Sequence, residues 1–269
     1  MEQLVLKPLS VGELLDKSFQ IYKGNALTLL AITGVLLVPA AIIRLVATAY
    51  MADARLVEWF LDFFIQNMTE VALICAISNL YLGKEVSVSA VYSVGMRNYG
   101  AVLGASFLMG LAYSALGILV GIFAIGASGS IGCLLIPVGA ATIFISTRWS
   151  ISIPSVVLED MRAAEGIGRS WSITKGYFWK VFGTAFAAGL LGILVSYLPT
   201  LALNYLVTEL VNTSFLTTQL LLKVAEQFAV IISLPFTLGV TVLIYYDLRV
   251  RKEAFDLLVM SGETDLLDN

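Results

Sequence analysis

Residues 98–147 read NYGAVLGASFLMGLAYSALGILVGIFAIGASGSIGCLLIPVGAATIFIST, and this stretch decides the fold class. These fifty residues, which lie between Arg97 and Arg148, contain no Asp, Glu, Lys or Arg. A helix needs about 20 consecutive apolar residues to cross a hydrocarbon core of about 30 Å, so the stretch is long enough for two spans. The small residues from Gly126 to Ser130 are expected to form the turn between them. The chain is therefore predicted to be an integral membrane protein.

The composition of the whole chain supports the same prediction. Of the 269 residues, 59% are hydrophobic and 13% are charged, whereas soluble domains have about 25% charged residues. The length predicts a single polytopic membrane domain, residues 1–269. The net charge of −3 predicts that nucleic acid is not a partner.

The usual catalytic and metal-binding residues are scarce. The sequence contains no histidine and two cysteines. Because histidine is the commonest general base and metal ligand, we expect no enzymatic activity, no cofactor, and no catalytic or metal site. Cys75 and Cys133 lie in apolar runs, where cysteine is more often a small buried hydrophobe than a disulfide partner or a metal ligand.

Six transmembrane spans are predicted from the charge-poor runs, so the predicted fold class is an all-α integral membrane protein. The spans are Ala26–Ala49, Leu61–Leu82, Gly100–Gly121, Gly132–Ile153, Val181–Leu203 and Gln227–Tyr246. Pro39 is expected to kink the first span and Pro199 to interrupt the fifth. Arg44 lies near the far end of the first span, where its long side chain is expected to reach water. If the fourth span continues to Leu158, Arg148 lies inside the membrane rather than at its edge.

Basic residues are distributed unequally between the two sides of this topology. With both termini in the cytoplasm, thirteen Lys and Arg residues fall inside and only Arg44, Arg55 and Lys223 fall outside. This positive-inside bias predicts a multi-pass protein of the cell membrane with both termini cytoplasmic. The predicted segments are an N-terminal interfacial helix (1–25), spans 1–4 (26–158), a second interfacial helix (160–178), spans 5–6 (181–247) and a cytoplasmic tail (248–269).

A motif occurs twice in the chain at an offset of 152 residues. Residues 13–24 read ELLDKSFQIYKG and residues 165–176 read EGIGRSWSITKG. Each copy precedes a span and has an acidic residue four positions before a basic one, which favours a helix. The two-faced pattern of Val11–Lys23 is typical of a helix at the membrane surface, although a helix docked on the protein's own cytoplasmic end explains it equally well. Residues 87–99 are a weaker third copy, which suggests an internal repeat of surface helix and transmembrane hairpin.

Polar residues in the second span form the first candidate site. Gln66, Asn67, Glu70 and Asn79 lie within it. An ionisable residue inside a span is a functional-site hypothesis by default. The alternative is that Glu70 is a protonated or hydrogen-bonded packing residue.

The second candidate site is a surface for lipid or a partner protein. It consists of Lys17, Phe19, Lys23, Arg169, Trp171, Lys175, Asp247, Arg249, Arg251 and Lys252. Asp247 with Arg251, and Arg249 with Glu253, stand four residues apart and can pair along one helix. This charged segment is either a solvated anchor for the last span, or a group that holds the interfacial helices or anionic lipid head groups.

Three segments of the chain resemble one family of prokaryotic membrane proteins. They are Pro8–Asp16 (PLSVGELLD), Pro154–Glu159 (PSVVLE) followed by Arg169-Ser170-Trp171, and Tyr246–Glu253 (YDLRVRKE). In these segments the chain is similar to the integral membrane domain named after the glycerophosphoryl diester phosphodiesterases to which some members are fused. The resemblance implies a helical membrane domain without an established biochemical role. A fused catalytic domain would be a soluble barrel that uses histidines and metal-binding carboxylates, so its activity is not expected of this chain.

These observations favour a non-enzymatic membrane protein that acts as a scaffold or a lipid-associated partner. The alternative is a transporter of a lipid or small solute through the interface between the repeats. Membrane lipids are the expected partners, and another membrane or cytoplasmic protein is compatible with the same surface. A polar cavity containing Glu70 would favour transport, whereas a solid bundle packed on the glycines of the third span would favour a scaffold.

The distribution of basic residues generates a prediction about topology. Single cysteines at Ser10, Gly126 and Ser261, in a background without Cys75 and Cys133, are treated in intact cells with a membrane-impermeant thiol reagent. Only the cysteine at position 126 should react, because the other two positions are predicted to be cytoplasmic. All three should react after lysis, and labelling of position 261 in intact cells would contradict the topology.

Overall fold

The computed structural model describes residues 8–51, 53–126, 131–206 and 215–253, and its regular structure is entirely helical. In these ranges the α-helices are α1 (Val11–Gly24), α2 (Ala26–Tyr50), α3 (Arg55–Phe60), α4 (Asn67–Tyr81), α5 (Val88–Gly126), α6 (Ile131–Trp149), α7 (Ser152–Leu158), α8 (Ala163–Thr174), α9 (Phe178–Leu206) and α10 (Phe215–Glu253). A π-helical turn, Leu61–Gln66, joins α3 to α4.

Five helical segments are long and apolar enough to cross a membrane. They are Ala26–Tyr50, Arg55–Tyr81, Val88–Gly121, Ile136–Leu158 and Leu216–Glu253. A sixth is added if α8 and the start of α9, which are bent by 108° at a short break, are counted as one span. An all-helical membrane fold is therefore confirmed, with five candidate spans rather than six in the described residues.

The outer faces of the long helices carry large apolar side chains. Leu27 is 86% exposed and Ile136 is 76% exposed, and both lie on candidate spans. Soluble monomers rarely expose such side chains in contiguous patches. These apolar faces are therefore suited to contact with lipid.

The core is built around α4. Every residue from Val71 to Ile77 is at most 2% exposed, because α4 is surrounded by α2, α5, α7 and α10. Several polar side chains within this core are hydrogen-bonded: the hydroxyl groups of Ser78 and Tyr246 are 2.6 Å apart, and Asn98 Nδ2 donates to the Val157 carbonyl at 3.0 Å. Such pairing is required where no water reaches the group.

Helix α1 is docked on the end of the bundle, against α10 and α9. It begins with a capping box, in which Ser10 Oγ accepts from the Glu13 N–H and Glu13 accepts from the Ser10 N–H. Its buried face contains Leu14, Ser18 and Ile21. Ser18 Oγ donates to the carbonyl of Phe236 in α10 at 3.2 Å.

Helix α8 occupies a comparable position against α7, α5 and α6. Gly166, Ser170 and Ile173 are buried, and they are the residues that align with Leu14, Ser18 and Ile21 in the repeated motif. Ser170 Oγ donates to the carbonyl of Arg148 in α6 at 2.6 Å. Docking against the protein itself is thus observed for both motif helices.

The aligned aromatic residues of the two motifs are both partly exposed. Phe19 is 52% exposed and Trp171 is 41% exposed. The two motifs end differently, because Gly176 adopts a left-handed backbone (φ 91°) before the sharp bend into α9, whereas Gly24 is the last residue of a helix capped by Asn25. Glycine enters the left-handed region without steric cost.

Several predicted boundaries are wrong. Helix α5 begins at Val88 and continues without a break to Gly126, so residues 87–99 are not a separate surface helix. Helix α10 continues to Glu253, so residues 248–253 extend the last helix instead of forming a tail. Helix α9 continues through position 199, where an interruption was predicted.

The fourth predicted span has a break near its end. Helix α6 ends at Trp149, and a separate short helix, α7, follows from Ser152 to Leu158. Arg148 is therefore at the end of α6 and next to the break. The predicted turn at 126–130 lies outside the described residues except for Gly126, which is the last residue of α5.

The close packing on the glycines of α5 that would favour a scaffold is not observed at most of these glycines. A Cβ atom added at Gly100, Gly110, Gly117 or Gly121 would meet nothing within 4 Å. Close neighbours exist at Gly104, where the Cβ of Ala163 is 3.1 Å away, and at Gly95 near the start of the helix, where Val71 Cγ1 is 3.0 Å away. The described part of the bundle is therefore not held together by a glycine seam along α5.

Helix α8 supplies a matched pair of glycines for a stability test. A Cβ at Gly166 would overlap Val156 Cγ2 and lie 3.3 Å from the Ser152 carbonyl, whereas at Gly168 it would meet nothing within 4 Å. Gly166→Ala should lower the free energy of unfolding by about 1–3 kcal/mol through overpacking. Gly168→Ala should raise it by up to about 1 kcal/mol, because alanine is the better helix former. Thermal unfolding in detergent should give shifts of opposite sign, and equal shifts would contradict the docking of α8.

Candidate functional site

Helix α10 carries polar and charged groups near each of its ends. Gln227 and Asp247 are twenty residues apart in this helix, which corresponds to about 30 Å along its axis. This distance equals the thickness of a bilayer's hydrocarbon core. Two sites are thus built on one helix, at opposite sides of the candidate membrane region.

The first site, which we call the charge network, is centred on Asp247. The side chain of Asp247 is 1% exposed and forms ion pairs with Lys180 and with Arg251, the latter at 3.0 Å. Its Oδ1 atom accepts the backbone N–H of Leu9 at 2.7 Å. The Leu9 carbonyl accepts from Lys180 Nζ at 2.6 Å and from Arg251 Nη2 at 2.9 Å. One buried carboxylate therefore joins the segment before α1 to α9 and α10.

The charge network also includes a second group of side chains, which contacts α8 through Arg169. Its guanidinium pairs with Glu159 at 2.9 Å and with Glu253 at 2.6 Å. Glu253 also pairs with Arg249 at 3.1 Å. The Tyr245 hydroxyl donates to Glu159 at 2.9 Å and accepts from Arg249 at 3.1 Å. These five side chains form a closed ring between α7, α8 and α10.

The ring holds Arg169 firmly in its charged form. Partial burial alone would lower the pKa of Arg169, but its hydrogen bonds to Glu253 and Glu159 raise the pKa above the ordinary arginine value. Charge-assisted hydrogen bonds of this kind are about twice as strong as neutral ones.

The structure separates the residues of the predicted surface into two groups. Arg169, Asp247, Arg249 and Arg251 are in the charge network, and both i, i+4 pairs expected from the sequence are present. Lys17, Lys23 and Lys175 are exposed, and Lys252 Nζ donates to the Ser172 carbonyl at 2.8 Å. Binding of lipid or protein by this surface stays a prediction.

Sequence reasoning missed Glu159, Lys180 and Tyr245 as members of the network. Each has at least one partner ten or more residues away in sequence, and Lys180 and Asp247 are separated by 67. A local signal existed for Glu159, because it is the first of two acids directly after the apolar run of α7.

The second site, which we call the polar cavity, lies between α2, α3, the π-helical turn and α10. It has a volume of about 380 Å³ and apolar walls that include Leu37, Val38, Ile42, Phe228 and Ile231. Its polar lining consists of Arg44, Glu58, Asp62, Gln66, Lys223, Glu226 and Gln227. Ligand pockets of about 300–1,000 Å³ with apolar walls and few polar groups are typical small-molecule sites.

Arg44 is the central cation of the polar cavity. Its guanidinium forms an ion pair with Asp62 and a hydrogen bond with Gln227 Oε1, and Lys223 pairs with Glu58. The side chain of Arg44 is 19% exposed, so it does not extend to water as the sequence predicted. Its Nε atom is buried and has no hydrogen-bond partner.

The π-helical turn shapes the cavity's edge. Wider turns of this kind occur frequently at functional sites. Three of its carbonyls accept hydrogen bonds from side chains: Asn67 Nδ2 donates to Phe63 at 2.6 Å, the Tyr99 hydroxyl to Phe64 at 2.7 Å, and Thr69 Oγ1 to Ile65 at 2.9 Å. The turn is thus tied to α5 through Tyr99.

A more open cleft of about 340 Å³ adjoins the polar cavity. Asp62 and Gln66 line both spaces, and the cleft continues to Asn67, Glu70 and Ser106. Gln66 Nε2 donates to Glu70 Oε1 at 3.4 Å, and Ser106 Oγ donates to Asn67 Oδ1 at 2.5 Å. Glu70 lies near the middle of the candidate span Arg55–Tyr81.

Three of the four predicted intramembrane polar residues are therefore brought together, and Asn79 is not. Asn79 lies twelve residues beyond Asn67 in α4, which is about 18 Å along the helix. Its carbonyl accepts the Lys84 N–H at 2.9 Å, and its Oδ1 atom is buried without a partner. Asn79 is a feature of the turn after α4 and not part of the cleft.

Comparison with known proteins gives one match. The sequence model of the family described as the membrane domain of glycerophosphoryl diester phosphodiesterase matches residues 124–260, which is 137 of the 269 residues. The chain belongs to this family. The match is to the membrane domain and not to the catalytic domain. No curated protein and no solved structure shows significant similarity to the chain.

The matched range of this membrane domain family contains nearly all of the charge network. Glu159, Arg169, Lys180 and Asp247 lie within it, whereas Leu9 lies outside it. The polar cavity is mostly built from residues before position 124, except for the side chains that α10 supplies. Among the described residues, no three His, Cys, Asp or Glu side chains converge as a metal site would require.

The charge network predicts a large cost for a small change at its centre. Asp247→Asn keeps the shape of the side chain but leaves Lys180 and Arg251 without their anion, so it should lower the free energy of unfolding by about 3–5 kcal/mol. The matched control is Asp53→Asn, which breaks an exposed pair with Arg55 and should cost at most about 1 kcal/mol. Thermal unfolding in detergent and amide exchange at Leu9 measure the effect. Equal behaviour of the two variants would contradict the structural role of Asp247.

Proposed function

We propose that this membrane domain binds an amphipathic ligand in the polar cavity, as the binding step of transport across the membrane. The observation that carries the proposal is the continuous polar lining that runs from Arg44 through Asp62 and Gln66 to Glu70. Polar groups at such depth are expensive and usually mark a substrate or ion path. A bundle used only as a scaffold has no need of them.

The chemistry of the cavity suggests what kind of ligand it takes. Arg44 retains a buried N–H without an acceptor, and Lys223 is a second cation in the same lining. A phosphate or carboxylate can accept hydrogen bonds from both. The apolar walls fit the hydrocarbon part of the same molecule. The lining also contains Glu58, Asp62 and Glu226, so the ligand class that fits is an amphiphile with a polar head group that accepts the free N–H of Arg44.

The proposal is independent of enzymatic activity. Histidine is absent from the sequence, and the family match concerns a membrane domain. We propose a non-enzymatic role in the cell membrane, with six spans and both termini in the cytoplasm. The grouping of Arg44 and Lys223 at the cavity, opposite the basic charge network, supports this orientation.

A scaffold role is the second candidate, and the charge network favours it. The network ties α1, α8, α9 and α10 into one rigid end. The exposed residues of the two motif helices, including Phe19 and Lys17, would then face lipid or a partner protein. In this reading the two motifs are copies of one repeated surface helix. The two candidate functions differ in whether the polar cavity takes a ligand.

The cavity proposal predicts the effect of removing one cation. Dihexanoyl phosphatidic acid, a short-chain amphiphile with a phosphate head group, should bind the purified protein, and Arg44→Gln should weaken binding by at least about tenfold, the equivalent of 1.4 kcal/mol. Arg55→Gln is the control, because Arg55 is an exposed arginine outside the cavity lining. Isothermal titration calorimetry measures both. Identical affinities of the two variants would contradict the cavity as the binding site.

A second measurement separates transport from a scaffold. A cysteine at Ser106, in a background without Cys75 and Cys133, should react with a charged thiol reagent through the open cleft. A cysteine at Ile193, which is 53% exposed on the apolar face of α9, should not. If both positions are inert in membranes, water does not reach the cleft and the scaffold is the better assignment.

A further inference from the structure

Arg148 is held in an unusual environment at the end of α6. Its guanidinium carbon lies 5.2 Å from the ring centroid of Phe144, 5.4 Å from that of Trp171 and 5.9 Å from that of Phe178. These rings come from α6, α8 and α9. Cation–π contacts of this kind attract the guanidinium and restrict its position. The positive charge of Arg148 is thus fixed at the junction of three helices.

The hydrogen-bonding capacity of Arg148 is largely unused. Its Nη1 atom reaches Thr174 Oγ1 only at 3.5 Å, and its Nε atom is buried without a partner. Within the described ranges no carboxylate forms an ion pair with it, in contrast to Arg169, Arg249 and Arg251. An arginine has five N–H donors, and a buried donor without an acceptor costs free energy.

Two further cations stand beside Arg148. Lys252 Nζ is held by the Ser172 carbonyl at 2.8 Å, one residue from Trp171. Arg148 Nη1 lies 3.5 Å from Thr174 Oγ1, and Lys175 is the next residue in the chain. The three side chains therefore form a positive cluster, and an anion placed among them would relieve the repulsion and accept the free N–H groups.

An apolar track leads away from this cluster. The rings of Phe178, Phe182 and Phe186 stack at successive turns of α9, with centroid distances of 6.2 Å and 5.7 Å. Phe186 is 56% exposed. The track starts at the aromatic cage of Arg148 and follows an outward face of a long apolar helix. A ligand with a charged head and a hydrocarbon chain matches both parts.

We propose that Arg148, Lys175 and Lys252 bind the phosphate of an anionic phospholipid, whose acyl chain lies along Phe182 and Phe186. The site is at the opposite end of the molecule from the polar cavity and does not depend on the function proposed there. A lipid is favoured over a free phosphate because the track is apolar and exposed. Lys175 and Lys252 are exposed and do not belong to the charge network. In this site they would bind the lipid phosphate.

The test compares lipids in the purified full-length protein by native mass spectrometry and thermal unfolding. Dioleoyl phosphatidylglycerol should be retained at least about tenfold better than dioleoyl phosphatidylcholine, since each nearby cation adds attraction for an anionic lipid. Arg148→Gln should reduce its retention to the phosphatidylcholine level. Arg162→Gln, which removes an exposed cation at the start of α8, should leave retention unchanged.

Additional arms identify the site and the source of the phosphate. The double variant Lys175→Gln/Lys252→Gln changes only exposed residues and should also weaken phosphatidylglycerol retention, which keeps the test decisive if Arg148→Gln fails to fold. Unchanged retention in the double variant would overturn the proposal. Stabilisation by inorganic phosphate equal to that by phosphatidylglycerol would overturn the assignment to a lipid.

Discussion

The architecture depends on a single buried carboxylate, that of Asp247. An ionised group with a 1% exposed side chain is tolerated only where it is paired and hydrogen-bonded. Lys180, Arg251 and the Leu9 N–H meet this requirement, and they come from α9, from α10 and from the segment before α1. Parts of the chain that are distant in sequence therefore have to meet at one point. The docked position of α1 follows from this convergence, whereas α8 is held by the ion pairs of Arg169 with Glu159 and Glu253.

The long apolar runs were predictable because lipid imposes a length and a composition on every span. The boundaries of the helices were less predictable. The sequence around Tyr99 contains no proline or turn motif, so α5 continues through a point where a change of polarity suggested a boundary. The basic residues after Tyr246 are good helix formers, and α10 therefore extends to Glu253. Polarity marks the edge of the membrane and not the end of a helix.

The candidate sites were predictable to the extent that they are local. Gln66, Asn67 and Glu70 fall within about one helical turn, and the structure places them on one cleft. Asn79 is also a polar residue of this span, but it does not line the cleft. Arg44 and Lys223 are 179 residues apart in sequence and meet only because α2 packs on α10. Pairings over such separations depend on tertiary packing, which one sequence does not reveal.

Helix α10 is a single helix of 39 residues, about 58 Å long, and it carries ion-paired residues near both ends. Lys223 and Gln227 hold one end to α2 and α3, and Asp247 and Glu253 hold the other to α8 and α9. A rotation or axial shift of this helix would disturb both sets of pairs together. If the polar cavity takes a ligand as proposed, a movement of this kind would give its binding a coupling free energy to the charge network. Occupancy of the cavity and stability of the network would then be two measures of one equilibrium.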